Sequence, residues 1–175
     1  MKFKTLKLFG AQLLVSGLMA SMLQTASAQS DSVLYKDGEL TINDAIVVEA
    51  GETKYYSGVR LAPTANGDFR IVAAAEKQMA YINELSVAVS FTDPVEVELG
   101  VVGYMSNPCV DMNIAISRKG NTFFVAIGET PLQTLVACAQ VTEPFDITFP
   151  LDVKGLPAGD YLVVVNGDEI DFTLE

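Results

Sequence analysis

Residues 155–172 read GLPAGDYLVVVNGDEIDF. Leu162 to Val165 form a short apolar run, closed by Gly159-Asp160 on one side and Asn166-Gly167 on the other, which is how a buried strand reads. Asn and Gly both tolerate positive φ, so Asn166-Gly167 suits a tight turn. Beyond it Ile170 and Phe172 alternate with Glu169 and Asp171, as a returning half-buried strand requires. The stretch therefore predicts a β-hairpin. Its acids, Asp168, Glu169 and Asp171 beside Asn166 with Asp160 across the corner, do not follow the D-x-D-x-D-G spacing of a calcium loop, and are read as a polar hairpin tip and solvent face.

The same pattern extends back to Ser32. Strands are expected at 39–42, 46–49, 54–61, 68–74, 84–91, 95–104, 113–118, 122–127, 145–151, 160–166 and 170–174, each too short for a typical helix. Val95-Glu96-Val97-Glu98-Leu99 shows the principle: alternation puts Val95, Val97 and Leu99 on one face and both glutamates in water. Asn66-Gly67 and Lys119-Gly120-Asn121 supply further hairpin turns. Residues 73–80, AAAEKQMA, are the one run of good helix formers, so a short helix or a connector between two β units is expected there. The chain accordingly divides into a β-meander region, 29–80, and a second β unit, 81–175.

Ahead of these lie Lys2, Lys4 and Lys7, an apolar stretch over 8–23, and Ala26-Ser27-Ala28. This is the layout of a secretory signal peptide over 1–28 with an A-x-A cleavage site. Gln12, Ser16 and Gly17 interrupt the stretch, against a membrane anchor, and no membrane span is expected in the mature chain. The whole chain has 11 basic and 22 acidic residues and a net charge of −11; removal of three lysines with the leader takes it down by three to −14. Such a surface repels phosphate backbones and anionic lipid, so nucleic acid is not an expected partner. Both cysteines, Cys109 and Cys138, stay in the exported chain, where an even count predicts a disulfide. Closing a loop of about 30 residues contributes about 3.6 kcal/mol in the chain-entropy description. A redox or metal role would call for C-x-x-C spacing or helper histidines, and neither is in the sequence.

Leu156-Pro157-Ala158-Gly159-Asp160-Tyr161, running into Leu162 to Val165, resembles the L-x-x-G-x-Y tyrosine corner of immunoglobulin-like and fibronectin-III-like sandwiches. The Phe145-to-Val153 stretch resembles the strand before it. The order Gly103 to Cys109, Arg118 to Asn121, Cys138, Pro144-Phe145 and the closing Gly-Leu-Pro-Ala-Gly-x-Tyr resembles small exported bacterial domains of unassigned function. The resemblance implies an antiparallel immunoglobulin-like sandwich in the C-terminal part, with Leu156, Gly159 and Tyr161 as a structural corner and the tyrosine hydroxyl returning to upstream backbone. It implies no catalytic residue. Cys138 precedes Tyr161 by far too much for the antibody-type bridge, so the disulfide is expected to pin the loop after Tyr104 to the segment entering the Phe145 strand. Residues 31–72 resemble an exported β-meander.

With no histidine in the chain, histidine triads, histidine bases and histidine metal sites are excluded. No G-x-S-x-G, H-E-x-x-H, Walker or G-x-G-x-x-G motif is present. Two carboxylates across a cleft would serve a hydrolase, but 22 acids satisfy almost any spacing. Tyr55, Tyr56, Tyr81 and Tyr104 suit either a sugar-stacking platform or sheet packing. Met105, Ser106, Asn107 and Pro108, tethered by Cys109, form either a recognition loop or an ordinary turn. The expectation is an all-β, disulfide-stapled, exported protein, periplasmic or secreted. It would act without catalysis or cofactor as a binding or structural module of the bacterial envelope or extracellular space, on a protein or glycan partner. A protease inhibitor presenting 105–108 or 132–136 is the alternative, and a carbohydrate-binding protein or carboxylate hydrolase a further one.

Overall fold

The computed structural model describes residues 33–132 and 137–175; the leader expected at 1–28 lies outside them. Twelve strands fill this range: β1 (Val33–Lys36), β2 (Glu39–Glu49), β3 (Glu52–Pro63), β4 (Phe69–Glu76), β5 (Gln78–Met79), β6 (Tyr81–Ser90), β7 (Glu96–Met105), β8 (Val110–Lys119), β9 (Thr122–Pro131), β10 (Glu143–Leu151), β11 (Gly159–Val165) and β12 (Asp168–Leu174). The fold is all-β, with a sandwich and one cystine joining Cys109 to Cys138, Cα to Cα 6.0 Å.

The first four strands form an antiparallel sheet in chain order. Two expected strands, 39–42 and 46–49, are one: Asp44 sits opposite Ser57 and carries the pairing through the polar break. The helix considered for 73–80 does not form. Ala73 and Ala75 lie in β4 and pair with Arg60 and Ser57 of β3, because a helix of two turns is marginal by itself while β3 offers a ready ladder.

The sandwich packs the sheet β10-β7-β6 on a second sheet that runs β12-β11-β9, with β8 on the far side of β9. The two-residue β5 pairs with β9 at Gly128 and Glu129, on the side that β11 occupies farther back. All pairs are antiparallel except β11 with β9, where Leu162 to Val165 run alongside Thr122 to Val125. The antiparallel sandwich expected from the sequence is present, and this one pair is parallel because β10 crosses to the other sheet between them, so β11 returns in the direction of β9.

Alternation fills the core. Val97, Leu99 and Val101 of β7 face Phe123, Val125 and Ile127 of β9 and Tyr161, Val163 and Val165 of β11, while Glu96 and Glu98 are exposed. Tyr161 stacks on Phe172 at 5.4 Å between ring centroids, and its hydroxyl donates to the Pro157 carbonyl at 2.8 Å.

Asn166 closes the structure where β11 stops. Its side-chain amide donates to the carbonyls of Ala80 and Ile127 at 2.8 and 2.9 Å, and its Oδ1 accepts from Ile127 N at 2.8 Å. It thus substitutes for the strand that β9 lacks between β11 and β5. Its φ of 52° is a left-handed value that Asn tolerates. Asn166→Gly keeps that backbone freedom and removes only the amide, leaving the Ala80 carbonyl and the Ile127 N–H to find water while the Ile127 carbonyl keeps the Ala80 N–H. The expected loss is about 2 kcal/mol in urea unfolding; an unchanged midpoint would show that the side chain is dispensable.

Candidate functional site

The two β units meet on one face of the N-terminal sheet. Paired residues share a face, so Ile46, Tyr55 and Asp44 lie on the same side as Leu40, Ile42, Val59 and Leu61. Tyr55, fully buried, packs with Ala115 of β8 and Ala126 of β9, and Ile46 and Met79 close round them. Gly128 makes the approach possible: a Cβ there would sit 2.6 Å from Tyr55 Cδ1. The Tyr55 hydroxyl donates to Asp44 Oδ1 at 2.5 Å, which satisfies an acid on the apolar face. Lys77 lies over the Tyr55 ring, 5.2 Å from its centroid, and its ammonium donates to Asn113 Oδ1 at 2.5 Å and Thr130 Oγ1 at 2.8 Å.

Beside this seam is a cleft of about 570 Å³, lined among others by Ser57, Glu76, Lys77, Ser106, Glu129 and the cystine. Glu129 is 3% exposed, the one buried charged side chain among the described residues. It is fully engaged: Ser106 N donates to Oε1 at 2.7 Å and Ser106 Oγ to Oε2 at 2.5 Å. Asn107 in turn donates to Ser106 Oγ and accepts from Cys109 N at 2.9 Å. Ser106, Asn107 and Glu129 are therefore bonded to one another, and their arrangement holds the loop against β9.

The residues singled out in the sequence are dispersed. Cys109 lies in the turn before β8 and Cys138 in the segment before β10, so the bridge ties these two connections together at the rim of the cleft. Of the loop, Met105, Ser106 and Asn107 are half-buried and only Pro108 is exposed. The second loop considered, 132–136, lies outside the described residues apart from Leu132. Leu156, Gly159 and Tyr161 sit at the opposite end of the sandwich, around the entry to β11. Asp168, Glu169 and Asp171 are exposed on β12, and among the described residues no three acids or cysteines converge on a point. The four tyrosines make no common platform: Tyr55 is under the seam, Tyr56 on the other face, and Tyr81 and Tyr104 stack on each other at 4.9 Å.

What sequence reading missed is how far the meander's apolar face runs beyond the seam. Register places Tyr35, Leu40, Leu61 and Ile71 in one row across all four strands, with Val33, Ile42 and Val59 in the next and Pro63 with Phe69 in a third. The sandwich covers the seam end only. Toward the sheet edges Val33, Tyr35, Phe69 and Ile71 are 56–68% exposed. The alternation was legible strand by strand, but only the register lines the rows up.

Gly128→Ala drives a methyl group into a buried ring that has no room to swing, and overpacking of this kind costs about 1–3 kcal/mol. Hydrogen exchange should rise in β2 and β3 and stay level in β7 and β11; uniform protection loss, or none, would contradict the seam's role.

A family model described as the ORF11 beta-sandwich domain matches residues 99–174, from mid-β7 to the end of β12. The match takes in Ser106, Asn113, Gly128 and Glu129 of the seam but neither Tyr55 nor Lys77. No curated protein and no solved structure matches the chain. The C-terminal part is a β-sandwich by its sheets and by this similarity alike.

Proposed function

We propose that the protein is a non-catalytic module that works outside the cytoplasm by contact with another protein, using the open end of the N-terminal sheet's apolar face. The observation that carries the reading is the three rows of apolar side chains that continue past the seam into solvent at Val33, Tyr35, Phe69 and Ile71. A contiguous exposed apolar patch of this kind marks a contact surface more often than scattered residues do. Export is supported by the leader-like segment over 1–28 and by the cystine. The Tyr161 corner bond supports a kinship of the sandwich with immunoglobulin-like domains of exported bacterial proteins.

The inhibitor alternative has less support from the loop at 105–108, because Ser106 and Asn107 turn their polar groups inward to Glu129 and Cys109. A protease-binding loop offers its side chains outward.

Photo-crosslinking tests the proposal. A benzophenone-bearing phenylalanine is placed at Phe69 or, as a control, at the exposed Thr148 on β10, in cells making the protein. Protein adducts are expected from position 69 and not from 148; no adducts from 69, or equal yields from both, would overturn the reading.

A further inference from the structure

We infer that the partner at the Phe69–Ile71 side of this surface is a second copy of the chain, joined through β4 edge to edge about a two-fold axis at Ala73. The inference rests on the contact reading above and names its occupant. β4 is the outer strand of its sheet, with seven of its eight residues exposed. Open edges are ordinarily guarded by charge, proline, bulges or cover. β10 carries Glu143, Pro144, Asp146 and Pro150; β12 carries Asp168, Glu169 and Asp171; β6 lies beside β12; and β8 carries Asp111, Arg118 and Lys119 and lies against β2. β4, whose pairing with β3 is irregular there, presents Ile71 to Ala75 with no charge and no proline.

The sequence of β4, FRIVAAAE, is complementary to itself when antiparallel. An axis through Ala73 sets Arg70 of each copy opposite Glu76 of the other, Ile71 opposite Ala75, and Val72 opposite Ala74. The faces agree as well. Arg70 and Glu76 share a side, since they pair with Ala62 and Tyr56, alternate residues of β3; Ile71 and Ala75, opposite Leu61 and Ser57, share the other. Among the described residues the one ion pair is Arg60 with Glu39, so neither Arg70 nor Glu76 is ion-paired with another described residue; Glu76 accepts a bond of 3.4 Å from the Tyr56 hydroxyl.

Charge also selects this edge. Two copies, each bearing −11 with the leader and −14 without it, repel across most of their surfaces, yet residues 69–77 hold Arg70, Glu76 and Lys77 and so are not net negative. The register shifts between β3 and β4 fall opposite Ile71 to Ala75, where the facing side chains near the axis are alanines small enough for twisted strands to meet. The arrangement further brings Lys77 of the second copy, and the entry to its sandwich, alongside Phe69, at the uncovered end of the apolar face.

Sedimentation velocity on the purified protein over a broad concentration series tests this. The wild type should dimerise. R70E and E76R should each weaken association about tenfold or more, since each sets like charges opposite at two symmetric positions. An equimolar mixture of the two variants should recover it, because R70E and E76R then face each other as opposite charges at both positions. Recovery on mixing excludes misfolding as the cause of the loss. A wild type that stays monomeric, single variants that associate normally, or a mixture that stays apart would overturn the inference. A monomer that still gives Phe69 adducts with a different polypeptide overturns the second copy alone; a protein without adducts ends the contact reading too.

Discussion

Tyr55 occupies the space that Gly128 leaves open, and the relation between the two halves of the molecule follows from that close approach. A ring brought that near to β9 excludes water from Ala115, Ala126 and Ile46 and places its hydroxyl on Asp44. It also gives Lys77 an aromatic face to cover while Asn113 and Thr130 take up the ammonium protons. The meander is thereby held at one end of its apolar face and not along its whole length. The uncovered remainder follows from where the anchor lies, since β8 and β9 meet the meander at Tyr55 and Ile46 while Val33, Tyr35, Phe69 and Ile71 stay exposed.

Most of the fold was legible because alternation and turn chemistry are local. The strands around Val97, Leu99 and Val163 announced both their faces, and Asn166-Gly167 its turn. The parts that were not legible are set at a distance. Ala73 to Ala75 have helical propensity, but their backbone bonds go to β3. Gln78-Met79 is too short to carry a periodicity, and exists as a strand because β9 extends past the end of β11. For the site the contrast is sharper. Met105 to Pro108 could be located but not their inward orientation, which Glu129 decides from 23 residues away. Lys77 read as one charge in a helix-forming run, and nothing near it in sequence pointed to Tyr55.

Asn166 and Glu129 do similar work at different depths. Each satisfies several backbone or side-chain groups with one polar side chain where sheet hydrogen bonding fails: Asn166 where β11 ends, Glu129 where the chain leaves β7 for the cystine turn. Buried polar groups of this sort contribute little net stability when satisfied and cost much when one partner is missing. Their effect is therefore to fix one arrangement of loops against the neighbouring strands.

The two-fold symmetry of a β4 joint has a bearing on how far association can go. Each copy's β4 edge would be used up by the other's, so the joint itself offers nothing to a third copy. The composite sheet would end on both sides in β1, which closes on the cation of Lys36. A contact of that kind closes on two copies, giving a finite assembly in place of a fibre.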